Sequence, residues 1–141
     1  YGMAGVRLGY CLSGNEKLLE KMRRAGQPWA VSSLAQAAGI AALQEHNYIL
    51  RTRVLVRKER TFLLKELQSL GIKAYVGEAN FIFFHTEIPH LAEQMRKAGI
   101  LIRDCSNYAG LSDGYYRIAV RKHDENLRLL QALRKAAGKY S

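Results

Sequence analysis

Three arginines stand where a guanidinium could hold an anion. Arg7 lies in Tyr1-Gly2-Met3-Ala4-Gly5-Val6-Arg7-Leu8-Gly9, with glycines on both sides. Glycine lets a backbone approach a ligand closely, and the planar guanidinium fork suits a phosphate. The same spacing also fits an ordinary surface arginine beside a turn. Arg103 follows the apolar run Ile100-Leu101-Ile102, and Arg117 sits inside Tyr115-Tyr116-Arg117-Ile118-Ala119-Val120. A charge among aromatic and apolar strand residues needs a partner. Two partners are open to Arg117: a carboxylate of this chain or an anionic ligand. Little else in the sequence offers chemistry. It contains no nucleophile-elbow, zincin, P-loop or dinucleotide-binding motif. His46, His85, His90 and His123 are dispersed without metal-ligand spacing, and His85, at a strand end, reads as structural. Cys11 and Cys105 make no disulfide framework and read as reduced thiols.

The elements that must position these arginines follow from periodicity and punctuation. Val6 to Leu12 reads as a strand entered through a glycine turn. Ser13-Gly14-Asn15 caps a helix over Glu16 to Arg24, which Gly26-Gln27-Pro28 stops, and a second helix starts near Ser32 and covers Leu34 to Leu43. A long helix is expected from Glu45 to Leu70, with Leu63, Leu64, Leu67 and Leu70 as its apolar stripe and Gly71 at its end. Two strands follow, Ile72 to Val76 and Phe81 to His85. A helix is expected to open at Thr86-Glu87-Ile88-Pro89, with Pro89 in its first turn, and to end at Gly99. Ile100 to Ile102 and Tyr115 to Val120 read as further strands, separated by a loop over Asn107 to Gly114. Asp124 is placed as the cap of a last helix closed by Gly138. The later elements predict two or three helices on one face of a small, mostly antiparallel sheet, an α+β layer. Residues 1–43 stand outside that pattern and read as the edge of another domain, leaving 44–141 as the small domain.

Composition bounds the function classes. The 141 residues, 48% hydrophobic and 24% charged, describe a globular chain. A net charge of +10 suggests nucleic acid, acidic membranes or anionic substrates. The basic residues are scattered along helices, however, with no run of five like charges. A basic α+β module binding RNA would also use the aromatic strand Phe81-Ile82-Phe83-Phe84. Against it, no RRM-type aromatic string is present, and Phe81 and Phe83 are expected to face the core. Trp29 to Leu43 is too short and too often interrupted to span a bilayer, and the front has no signal-peptide pattern. A soluble, cytoplasmic protein without membrane or nucleic-acid partners is expected. Tyr1 in place of a methionine suggests a chain that begins inside a longer protein.

Taken together, these segments resemble the fold-type I aminotransferase superfamily. The family string Ser/Thr-Lys-x-Tyr/Phe-Gly-x-x-Gly-x-Arg-x-Gly is matched from its Tyr onward by Tyr1, Gly2, Gly5, Arg7 and Gly9. Within the superfamily the chain is most similar to the threonine-phosphate decarboxylases, then to the histidinol-phosphate aminotransferases. Met22-Arg23-Arg24, Pro28-Trp29 and the long strings Arg103 to Leu111 and Tyr115 to Arg121 carry that likeness, which departs at Ser32 and Ala109. The resemblance implies a large cofactor-binding domain with a C-terminal small domain, and pyridoxal 5'-phosphate (PLP) as cofactor. It implies that Arg7 holds the cofactor phosphate and that Arg103 and Arg117 hold the carboxylate and phosphate of the substrate. By the same register the Schiff-base lysine lies two residues before Tyr1, so residues 1–141 alone are expected to be inactive. The parent is expected to be a homodimer that decarboxylates L-threonine O-3-phosphate to (R)-1-aminopropan-2-ol O-phosphate in cobalamin biosynthesis. A histidinol-phosphate aminotransferase is the alternative.

Overall fold

The structure is a computed structural model that describes residues 1–138. It divides into two compact units, Tyr1–Arg51 and Thr52–Ser141. The dividing point falls inside a long helix rather than at a loop.

The first unit opens with a 3-10 turn, Ala4–Val6, followed by α1 (Glu16–Ala25) and α2 (Ser33–Leu43). Both helices start on the caps expected of their residue types. Asn15 Oδ1 accepts the Leu18 N–H at 3.0 Å, and Ser32 Oγ accepts the Ala35 N–H at 3.2 Å. The strand expected over Val6 to Leu12 does not form. A strand is stabilised by its neighbour's ladder, and none of the described residues pairs with this segment. Arg7 adopts left-handed backbone instead (φ 56°) and closes the 3-10 turn. α2 buries Ala35 and Ala42 but exposes Leu34, Ile40 and Leu43, so most of its apolar surface is uncovered among the described residues.

The long helix α3 (His46–Ser69) crosses into the second unit, where β1 (Lys73–Tyr75), β2 (Phe81–His85), α4 (Leu91–Lys97), β3 (Arg103–Asp104), β4 (Tyr115–Ala119) and α5 (His123–Ala136) follow. The four strands make one antiparallel sheet in the order β1-β2-β4-β3. Helices α3, α4 and α5 share one core with it. Leu63, Leu67, Leu91, Met95, Leu129, Leu130 and Leu133 pack with Ile82, Phe84, Tyr116 and Ile118. The layering expected from the sequence is therefore present. So is the stop at Gly71 (φ 76°): the Ile72 N–H reaches the Leu67 carbonyl and the Gly71 N–H the Gln68 carbonyl, both at 2.9 Å. Gly99 (φ 76°) ends α4 by the same pair of bonds, from Ile100 to Met95 and from Gly99 to Arg96.

Several boundaries differ from expectation for local reasons. Pro89 lies ahead of α4, because His90 takes left-handed backbone (φ 51°) and becomes the residue that starts the helix. The strand expected over Ile100 to Ile102 is displaced to Arg103–Asp104. Ile100 is held by the turn that ends α4, and the chain meets β4 only three residues later. Asp124 is not the cap of α5. It sits in the first turn, where a carboxylate favours the helix dipole, while the Glu125 carboxylate accepts the Lys122 N–H at 3.4 Å and Asn126 Oδ1 the Arg121 N–H at 3.1 Å. Phe81 and Phe83 do not face the core. Ile82 and Phe84 are the buried pair, and Phe81 and Phe83 stand on the face opposite that core.

Gly114 sets the entry into β4. Its φ is 90°, its carbonyl accepts the Thr86 N–H at 3.0 Å, and a Cβ there would lie 2.7 Å from the Thr86 carbonyl oxygen. Gly114→Ala is expected to destabilise the fold by about 2 kcal/mol through strain and that backbone clash. Thermal unfolding followed by circular dichroism measures it.

Candidate active site

The face of the sheet opposite the core is where the sequence-predicted arginines of the second unit meet. Because side chains alternate across a strand, Tyr115 and Arg117 of β4 point away from the core that Tyr116 and Ile118 join. Arg103 of β3 is the register partner of Arg117, so the two arginines stand directly opposite each other on one face. Opposed like charges destabilise a sheet unless something neutralises them. No carboxylate among the described residues pairs with either.

Their neighbours hold them without cancelling their charge. The Arg117 guanidinium carbon sits 4.8 Å from the centroid of the Phe81 ring. Arg103 donates through one Nη to Asn107 Oδ1 at 3.1 Å and lies 5.5 Å from the centroid of the Tyr108 ring. Across the rest of the face runs an aromatic ladder. Phe83 packs against Tyr75 at 5.1 Å and Tyr115 at 5.5 Å, and His85 against Tyr115 at 4.6 Å. Of the two readings open to Arg117, pairing with a carboxylate is not the one observed among the described residues. Asp104 points its carboxylate at the Ser106 N–H, 2.9 Å away, and that bond holds its pKa below the usual range. Cys105 is buried beside the arginines. Burial pushes its thiol up, and the Arg117 and Arg103 charges only partly oppose this, so it is a packed thiol rather than a nucleophile.

Arg7 lies in the first unit. It is exposed, and its guanidinium makes one long contact, from Nη1 to the Ala4 carbonyl at 3.5 Å. A non-glycine residue in left-handed backbone is uncommon and concentrates at ligand-binding positions. A separate cleft of about 690 Å³ lies between the end of β2 and α4 and includes none of the three arginines. Its lining is mixed in charge, with Glu87, Glu93, Asp104 and Asp113 beside Arg96, His85 and His90. No three histidine, cysteine or acidic side chains among the described residues are placed to hold a metal.

Residues 1–133 match the family described as aminotransferase class I and II. The chain belongs to that family. This aminotransferase-family chain is 38% identical over 137 residues to threonine-phosphate decarboxylase of Salmonella typhimurium, covering 95% of the chain and 38% of that protein. It is 37% identical over 140 residues to histidinol-phosphate aminotransferase of Symbiobacterium thermophilum, covering 98% of the chain and 38% of the relative. Among solved structures, histidinol-phosphate aminotransferase from Clostridium acetobutylicum superposes with a TM-score of 0.89 at 30% identity, over 99% of this chain and 43% of that one. The fold is thus that of the fold-type I enzymes, whose cofactor is PLP. The chain spans about two fifths of the length of the curated relatives it matches. No helix among the described residues is long and apolar enough to cross a membrane.

Sequence reasoning missed Phe81, Asn107 and Tyr108, the residues that hold the two arginines. Phe81 was hidden because Phe81-Ile82-Phe83-Phe84 is apolar throughout, so alternation does not reveal which pair is buried.

Proposed function

We propose that this chain supplies the anion-binding arginines of a PLP enzyme whose parent decarboxylates L-threonine O-3-phosphate to (R)-1-aminopropan-2-ol O-phosphate, a step of cobalamin biosynthesis. One observation carries the reading: Arg103 and Arg117 face each other across β3 and β4 with no carboxylate partner among the described residues. Threonine phosphate carries a carboxylate and a phosphate, and two opposed guanidinium groups match that pair of charges. Residues 1–43 then belong to the cofactor-binding large domain and 44–141 to the small domain. The parent is a cytoplasmic homodimer without nucleic-acid or membrane partners. On the aromatic face Phe83 lies within 5.5 Å of both Tyr75 and Tyr115, so the rings are spent on each other rather than splayed for bases.

The chemistry of Arg7 fits the cofactor's phosphate end. It is an exposed guanidinium at a turn between glycines, with almost all of its donors uncommitted. When bound, PLP supplies the electron sink. The residues of this chain bind and orient: Arg7 anchors the cofactor phosphate, and Arg103 and Arg117 fix the substrate's two anions. They thereby set which bond at the α carbon stands ready to break. The lysine that joins the cofactor lies upstream of Tyr1 in this reading. Residues 1–141 alone, incubated with PLP and reduced with borohydride, are therefore expected to take up no stoichiometric label on one lysine.

Histidinol-phosphate amino transfer is the second reading, favoured by the 37% identity and the TM-score of 0.89 to such enzymes. The test gives the intact PLP-loaded parent O-phospho-L-threonine without a keto acid. Release of carbon dioxide and aminopropanol phosphate in equal amounts is expected. No release, but amino transfer once histidinol phosphate and 2-oxoglutarate are present, would establish the second reading instead.

A further inference from the structure

We infer that Phe81 is a positioning residue for Arg117, holding the guanidinium by its flat face so that its edge stays free for the substrate anion. The inference rests on the reading of Arg117 as an anion anchor and goes beyond it by assigning Phe81 a role in binding. A guanidinium has two kinds of surface. Its edge carries five N–H donors, and its faces carry none. A carboxylate partner would occupy the edge and compete with the ligand. An aromatic ring occupies a face and leaves the edge uncommitted. The Arg117 guanidinium carbon lies over the Phe81 ring, 4.8 Å from its centroid, and Arg117 makes no ion pair among the described residues.

The fold places the ring there. Phe81 is the register partner of Ala119, and Phe83 of Arg117, so Phe81 is a diagonal neighbour of Arg117 on the same face. The small Ala119 side chain opposite Phe81 leaves that ring room to lean toward Arg117. The start of β2 is itself tied down on both sides. The Val120 N–H donates to the Asn80 carbonyl at 2.9 Å, and buried Arg60 donates to the Ala79 carbonyl at 2.9 Å while pairing with Glu78 at 3.0 Å. Arg103 uses the same device with the Tyr108 ring, but one of its Nη groups is spent on Asn107. Arg117 alone of the two keeps its whole edge.

The experiment is a double-mutant cycle in the PLP-loaded parent, with O-phospho-L-threonine as substrate, or histidinol phosphate with 2-oxoglutarate if the parent transaminates. Phe81→Leu is expected to raise KM about 2- to 30-fold, the range of a cation–ring contact from exposed to desolvated, with kcat affected far less. Phe81→Tyr keeps the ring and is expected to retain wild-type KM. Pentafluorophenylalanine at position 81 keeps the shape, reverses the ring's electrostatics and is expected to behave as Phe81→Leu does; it also serves if Phe81→Leu does not fold. In an Arg117→Ala background none of the three changes is expected to alter KM further. Equal losses with and without Arg117 would mean that Phe81 only packs, and no loss in either background would equally overturn the inference. If Arg117→Ala alone leaves KM unchanged, the anion-anchor reading fails, and this inference with it, without any change at Phe81.

Discussion

Replacing Arg117 with methionine in the parent enzyme is expected to lower kcat/KM for its anionic substrate by about a hundredfold or more. Hydrogen bonds to a charged group contribute about 1.5–3 kcal/mol each, a bidentate guanidinium makes two, and 1.4 kcal/mol is a factor of ten. Arg117→Lys is expected to recover little, because an ammonium cannot reproduce the planar fork. Arg103→Met should cost less than Arg117→Met, since Arg103 already spends a donor on Asn107 and lies on the short edge strand. Removing either arginine relieves the repulsion between the opposed pair but forfeits its ring contact, so each single variant is expected to stay within about 1 kcal/mol of wild-type stability. A large loss of activity beside a small change in stability is the signature of a site maintained for a ligand. Steady-state kinetics and unfolding curves on the same preparations check both, and an Arg117→Met enzyme within threefold of wild type would remove Arg117 from the site.

The largest expected loss of stability lies elsewhere, where α3 meets the start of α5. Glu59 is buried, and its carboxylate accepts from Asn126 Nδ2 at 2.9 Å and faces His123 Nδ1 at 3.1 Å. Asn126 also accepts the Arg121 N–H at 3.1 Å and donates to the Arg121 carbonyl at 2.9 Å. One side chain thus satisfies three groups, of which the Glu59 carboxylate is buried, and Asn126→Ala leaves all three without that partner. A cost of about 3 kcal/mol is expected, read as a fall in the thermal midpoint.

Burial pushes the Glu59 carboxyl up. The hydrogen bonds from Asn126 and His123, with the His123 and Lys58 charges, outweigh it and hold the pKa below the ordinary 4.5. A carboxyl depressed in the folded state contributes stability that is complete above its unfolded value and disappears as pH falls through the folded one. Stability is therefore expected to fall with pH below about 4.5. Glu59→Gln should flatten that part of the profile while lowering stability at neutral pH. An unchanged acid limb in Glu59→Gln would show that Glu59 does not govern it.

Much of this protein is determined by its sequence alone. The helix α3 is written in its leucine stripe and ended by Gly71, whose left-handed backbone few other residues adopt cheaply. The caps at Asn15 and Ser32 are likewise local chemistry between a side chain and an N–H three residues on. The three arginines are legible as candidate anion binders only through the family strings around them; residue type and spacing alone leave Arg7 and Arg117 open. What the sequence could not decide is which face of each strand is inward, and which strand pairs with which. Phe81-Ile82-Phe83-Phe84 reads the same in either phase, and only the core formed with α3, α4 and α5 selects Ile82 and Phe84. That choice turns Phe81 outward beneath Arg117. The pairing of β3 with β4 then sets Arg103 opposite Arg117, fourteen residues apart in the chain and separated by a loop. The strand expected at Val6 to Leu12 fails for the complementary reason: a ladder needs a second segment, and no local pattern can supply one. Residue type determines what a side chain can do; long-range packing decides which side chains do it together.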